Sequence, residues 1–160
     1  MSVKDFVQQR RDALIAMRRD FHMYPEPAWL EYRSAAKVAD TLISLGYDVA
    51  LGADVLDLES RMGLPSDEVM KAAMDRAIKE GANPELVEKM GYGKTAIVAT
   101  MKFGGEGPVV AFRVDMDSND VIEAKDDNHV PAKGGFRSCH DKAMHACGHD
   151  AHMTMGLGLA

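Results

Sequence analysis

Apolar positions recur at helical spacing from the start of the chain. Phe6, Val7, Leu14, Met17 and Phe21 share one broad stripe, with Arg10, Arg11, Arg18 and Arg19 mostly to its sides. This predicts a first helix. Pro25 and Pro27 end it, because the residue before a proline is pushed out of helical geometry. A second helix is predicted over 34–45, where Ala35, Val38, Ala39, Leu42 and Ile43 are apolar, and Gly46 is its expected C-terminal cap. Residues 47–51 read as a short strand.

Residues 52–91 read as a helical insertion between two strands. Ser66 is a good N-cap, and Asp67 and Glu68 suit the first turn of a helix. Val69, Met70, Ala73, Met74, Ala77 and Ile78 continue at helical spacing to Gly81, and Asn83-Pro84 starts a shorter helix that stops at Gly91. Residues 95–103 form a strand candidate closed by the turn at 104–108. Residues 109–114 are nearly all apolar, which predicts a second strand buried on both faces and paired with the first as a hairpin within a mixed sheet. Residues 118–142 are polar and form a long loop; loops beyond ~12–15 residues without their own structure are usually functional or disordered. The expected class is therefore α/β, a mixed sheet flanked by helices.

Composition narrows the function. Lys and Arg number 19 against 25 Asp and Glu, giving a net charge of -6, which argues against a dedicated nucleic-acid binder. The charged N-terminus lacks the apolar core of a signal peptide, and no run approaches the ~18 apolar residues of a membrane span. Two cysteines make no disulfide framework. A soluble, cytoplasmic chain without membrane or nucleic-acid partners is expected. The 12 methionines are read as core filling.

The chemistry concentrates in His145-Ala146-Cys147-Gly148-His149-Asp150-Ala151-His152. Imidazole and thiolate are preferred donors for zinc and similar divalent ions. Cys147 and His149 are two apart and reach one ion from a turning backbone. His149 and His152 are three apart and share a face if a helix begins there. Gly148 removes a side chain where backbone would crowd a metal. His145 is a further candidate ligand, although a single histidine is more often a surface or satisfied core residue than a ligand. Asp115 and Asp117, at the end of the apolar run 109–114, offer carboxylates that bind metal or orient a metal-bound histidine; a solvated turn is the alternative, and the histidine cluster about thirty residues downstream favours the functional role. His22 is taken as an ordinary helix-terminal histidine, favoured there by the dipole when protonated. Cys139 and His140, in the long loop near this cluster, are read as plain loop residues in preference to auxiliary ligands. Lys94-Thr95 lacks the spacing of a phosphate loop.

Taken together, Arg18-Arg19-Asp20-Phe21-His22, residues 26–31, Arg113-Val114-Asp115-Met116-Asp117 and residues 145–152 resemble the M20 metallopeptidases, in the branch of amidohydrolases, aminoacylases and carboxypeptidases with a cysteine ligand. Glu59-Ser60-Arg61-Met62-Gly63-Leu64-Pro65, residues 46–52 and Gly135-Phe136-Arg137-Ser138-Cys139 resemble the members of that branch that act on p-aminobenzoyl-glutamate. The resemblance spans almost the whole chain and is weakest over 69–88. It implies that Cys147 is a metal-bridging thiolate, His149 a terminal ligand, and Asp117 a strand-end aspartate that orients a ligand, with Asp115 less specific. It further implies hydrolysis of an N-acyl amino acid such as p-aminobenzoyl-glutamate, with two divalent ions, manganese or zinc, and a glutamate general base. The paired glutamates, the later histidine ligands and the small domain that binds substrate and dimerises have no counterpart in these 160 residues. The chain thus reads as the N-terminal part of a catalytic domain, incomplete alone, and the uncapped apolar run 153–160 reads as a cut. By the same resemblance the full-length form is a homodimer or pairs with a homologous second chain. Ser118-Asn119 stands where relatives have small apolar residues. The competing class is a non-catalytic metal-binding or interaction module; a redox or nucleophilic enzyme built on Cys147 is the weaker third.

Overall fold

A computed structural model describes residues 2–160. The chain divides into two compact units: Ala28–Arg113, and the residues up to Pro27 together with Val114–Ala160.

In the unit Ala28–Arg113, helix α2 (Tyr32–Ser44) is the centre. Tyr32, Ala35, Ala36 and Ala39 are fully buried, and the small alanine side chains let α3 (Asp67–Lys79) and α4 (Pro84–Met90) pack closely through Met70, Ala73, Ala77, Leu86, Val87 and Met90. The helix boundaries follow the expected local chemistry. Gly46 takes φ +89°, the Gly46 N–H donates to Ile43 O (2.9 Å) and the Tyr47 N–H to Leu42 O (3.0 Å), closing α2 with an αL turn. Ser66 Oγ accepts from the Val69 N–H, Asn83 Oδ1 accepts from the Glu85 N–H (3.1 Å), and Pro84 occupies the first turn of α4. The Tyr32 hydroxyl accepts from the Gly93 N–H (2.8 Å) and the Thr95 hydroxyl donates to Glu31 (2.7 Å), fixing the entry to the second strand.

The predicted strand pairing changes. Strand β1 (Asp48–Leu51) runs antiparallel to β2 (Ile97–Thr100), with Asp48 opposite Thr100 and Leu51 opposite Ile97. The predicted hairpin between 95–103 and 109–114 does not form. Residues 109–114 carry no strand, and Val109, Val110 and Phe112 are 99%, 65% and 71% exposed. An apolar run becomes a strand only beside a neighbour that completes its hydrogen-bond ladder, and no described segment takes that place. The fold is helix-rich with one small two-stranded sheet, within the expected α/β class.

In the other unit, α1 (Val3–Met23) begins with a reciprocal capping box: Ser2 Oγ accepts from the Asp5 N–H (3.2 Å) and Asp5 Oδ2 from the Ser2 N–H (3.1 Å). It packs against α6 (His149–Leu159). Phe21, Met153 and Leu157 are buried between them, and a Cβ on Gly158 would stand 3.1 Å from Leu14. The expected long loop is confirmed, with one helical turn, α5 (Val130–Lys133), inside it. No described helix is long and apolar enough to cross a membrane.

Candidate metal centre

Two isolated backbone bridges assemble this region. The Ser118 N–H donates to Glu26 O (2.8 Å), beside the end of α1. Asn119 and Met144 exchange both N–H···O bonds (2.9 and 3.0 Å), which lays the segment before Cys147 alongside Asp117 and its neighbours. The chain then turns at Gly148, φ +88°, and α6 starts at His149. Nothing lies within 4 Å of a Cβ built on Gly148. Glycine is needed there for its left-handed backbone and not for the crowding expected from the sequence.

The start of a helix at His149 makes the spacing of three effective. The His149 and His152 rings stack, with centroids 5.3 Å apart and planes inclined by 25°. Asp115 Oδ2 faces both, 3.5 Å from His149 Nε2 and 3.9 Å from His152 Nδ1. One donor atom from each of Asp115, His149 and His152 lies within 4.8 Å of the others. His149 Nδ1 lies 2.8 Å from Asp117 O and 3.0 Å from Asp117 Oδ1. Both oxygens accept, so Nδ1 donates, and in the neutral ring this leaves Nε2 as the lone-pair nitrogen, the tautomer a metal-binding imidazole needs.

Cys147 and His145 stand outside that group of three. Cys147 is exposed; its N–H donates to Asn119 Oδ1 (3.1 Å), and Asn119 Nδ2 donates to Sγ at 3.8 Å. Asn119, one of the two residues that depart from the resembled pattern, is thus the side chain that holds the thiol. His145 is 3% exposed, and neither ring nitrogen has a hydrogen-bond partner. Burial pulls its pKa down to about 4, against the attraction of Asp150, so the ring is neutral at pH 7. A buried, unpartnered imidazole costs about 1–3 kcal/mol. That cost, together with two further imidazoles and a carboxylate converging nearby, fits a nitrogen- and oxygen-binding divalent cation.

Sequence reasoning missed what lies behind this cluster. Asp150, the second residue of α6, is fully buried and receives Arg18 Nε (2.9 Å) and His22 Nδ1 (2.7 Å) on one oxygen and the Ala151 N–H (2.8 Å) on the other. The opposite ring nitrogen, His22 Nε2, meets Glu123 Oε1 at 2.9 Å. Glu123 is 2% exposed and also accepts from His129 Nε2 (2.7 Å) and the Ser138 N–H (2.5 Å). Burial resists ionisation of both carboxyls, yet their hydrogen bonds, led by His22 at Asp150 and by His129 at Glu123, hold each below its ordinary pKa. His22 is therefore no ordinary helix-terminal residue. The one local signal available was that Arg18 and His22 stand four apart on one face of α1.

No family model matches the sequence. The chain is 46% identical over 159 residues to one of the subunits of p-aminobenzoyl-glutamate hydrolase from Escherichia coli (strain K12), covering 99% of this chain and 36% of that protein. It is 45% identical over 158 residues to the indole-3-acetyl-aspartic acid hydrolase of Enterobacter agglomerans, with the same coverage of 99% and 36%. Among solved structures, it superposes on an aminobenzoyl-glutamate utilization protein from Klebsiella pneumoniae with a TM-score of 0.78 at 38% identity, over 99% of this chain and 34% of that one. The chain spans about a third of the length of these relatives.

Proposed function

Since the chain belongs to the M20 family of metallopeptidases and amidohydrolases, we propose that it carries the metal-binding part of an amidohydrolase site for N-acyl amino acids, p-aminobenzoyl-glutamate foremost. The hydrolase names of its relatives support this reading. The observation that carries it is the convergence of Asp115, His149 and His152, with His149 Nδ1 pinned by Asp117. In this reading those three residues, with Cys147 and His145, hold zinc or manganese, and a complete site holds two ions. A bound divalent cation supplies Lewis acidity and makes water acidic enough to act as nucleophile near neutral pH. Asp117 fixes the His149 tautomer, and Asn119 sets the direction of the Cys147 sulfur.

The proposal includes a division of labour. The general-base glutamate and the remaining ligands come from outside residues 1–160, and a homologous second chain or a second copy completes the functional assembly. The Escherichia coli relative is named as a subunit of its hydrolase, which supports an enzyme of more than one chain. Residues 1–160 are one portion of a catalytic domain, with 52–91 inserted into it. The purified chain supplied with zinc or manganese is then expected to bind metal and to release p-aminobenzoate from p-aminobenzoyl-glutamate at or near background. Turnover comparable to that of a full-length relative would overturn the division of labour. Failure to bind either ion would overturn the site.

A further inference from the structure

We infer that His22 is a buried imidazolium, charged at neutral pH, that acts as the positioning residue for the His149–His152 pair, through its hydrogen bonds to Asp150 and Glu123. The inference rests on the proposed metal-binding role of that pair.

The protonation state follows from the partners. His22 is 2% exposed, with Asp150 Oδ2 2.7 Å from Nδ1 and Glu123 Oε1 2.9 Å from Nε2. An ionised carboxylate only accepts hydrogen bonds, so a ring bonded to one at each nitrogen must donate from both. Asp150 and Glu123 are each saturated by further donors, which keeps them ionised: Arg18 and the Ala151 N–H at the first, His129 and the Ser138 N–H at the second. Burial opposes charge on His22, but its bonds to Asp150 and Glu123 outweigh burial and hold its pKa above the ordinary value; Arg18 opposes them weakly. The edge of the Phe136 ring packs near the imidazole, with centroids 5.7 Å apart and planes at 70°.

The positioning role follows from connectivity. Asp150 follows His149 directly and lies in the same first turn as His152. The aspartate is clamped from α1 by Arg18 and His22, which sets how the first turn of α6 faces Asp115. On its other side His22 holds Glu123, whose second oxygen takes the Ser138 N–H. The Ser138 hydroxyl in turn donates toward the carbonyls of Ala143 (2.7 Å) and His140 (2.9 Å), just before the ligand-rich segment. One cation thus ties the helix start and the loop that leads to it to the same helix, α1. Carboxylates and backbone groups that orient metal-binding histidines affect affinity by about 10–100-fold without touching the ion.

The test has two arms. Ring-nitrogen NMR of the metal-free chain at about pH 7, where an ordinary histidine is mostly neutral, should show both His22 nitrogens protonated. In Asp150→Asn, the ring should carry a single proton at the same pH. A singly protonated His22 in the unsubstituted chain, or two protons persisting unchanged in Asp150→Asn, overturns the inference whatever the metal does. In the second arm, zinc affinity of folded His22→Gln should fall about 10–100-fold. Equal zinc affinity in His22→Gln and the unsubstituted chain also overturns it, and the Asp150→Asn protein serves the same comparison if His22→Gln does not fold. If the unsubstituted chain binds no zinc, the metal site itself fails, and the NMR arm still decides the charge of His22.

Discussion

The first two residues of α6 face different partners and belong to different chemistries. His149 points to Asp115 and Asp117 in a half-exposed group of candidate ligands. Asp150 points to α1 and lies fully buried, with every oxygen engaged. A saturated cluster stabilises, because each of its charges is already satisfied. An unsaturated one has coordination left for a ligand. Two buried histidines make the same distinction: His22 is charged and bonded at both nitrogens, while His145 is neutral and bonded at neither.

The largest effect is expected where saturation is broken. Asp150→Ala leaves Arg18 and the His22 cation without their shared partner, and removing one member of a buried ion pair costs roughly 3–5 kcal/mol. Urea denaturation should report that loss, and a change under ~1 kcal/mol would place Asp150 among residues of little structural weight. His149→Ala and His152→Ala should act on the metal and spare the fold. Zinc affinity should drop beyond the ~10–100-fold typical of residues that only orient ligands, with stability near that of the unsubstituted chain. Asp117→Asn should be milder, losing about 10–100-fold in zinc affinity with little change in the melt.

The two buried histidines also predict opposite limbs in a stability–pH profile of the metal-free chain. His22 has its pKa raised in the fold, so its contribution is complete below the unfolded value of about 6.5 and is lost as pH rises through the folded one. His145 has its pKa lowered to about 4, so its contribution is complete above about 6.5 and is lost as pH falls toward 4. Further acid, through the lowered pKa values of Asp150 and Glu123, removes the stability their bonds supply. Stability should therefore peak near neutral pH. His22→Gln should flatten the alkaline limb alone, and an unchanged alkaline limb in that variant would break the contrast.

What the sequence made legible was local. The spacing of three put His149 and His152 on one face once a helix began there, and the caps at Gly46, Ser66, Asn83 and Pro84 delimited their helices as expected. Long-range pairing was not legible. His22 meets Glu123 across 101 positions and Asp150 across 128, and no periodicity encodes such separations. Asn119 reaches Cys147 only because the bridge to Met144 brings the two segments together. Residues 109–114 were misjudged for a related reason: apolar content signals a tendency to burial, while a strand also requires a neighbour.

The most direct test of the metal centre is a zinc titration of the unsubstituted chain beside the His149→Ala/His152→Ala double variant, by calorimetry or against a chromophoric chelator. Saturable binding in the first, abolished in a double variant that keeps its melting profile, is the predicted result. Indistinguishable isotherms for the two proteins would contradict it.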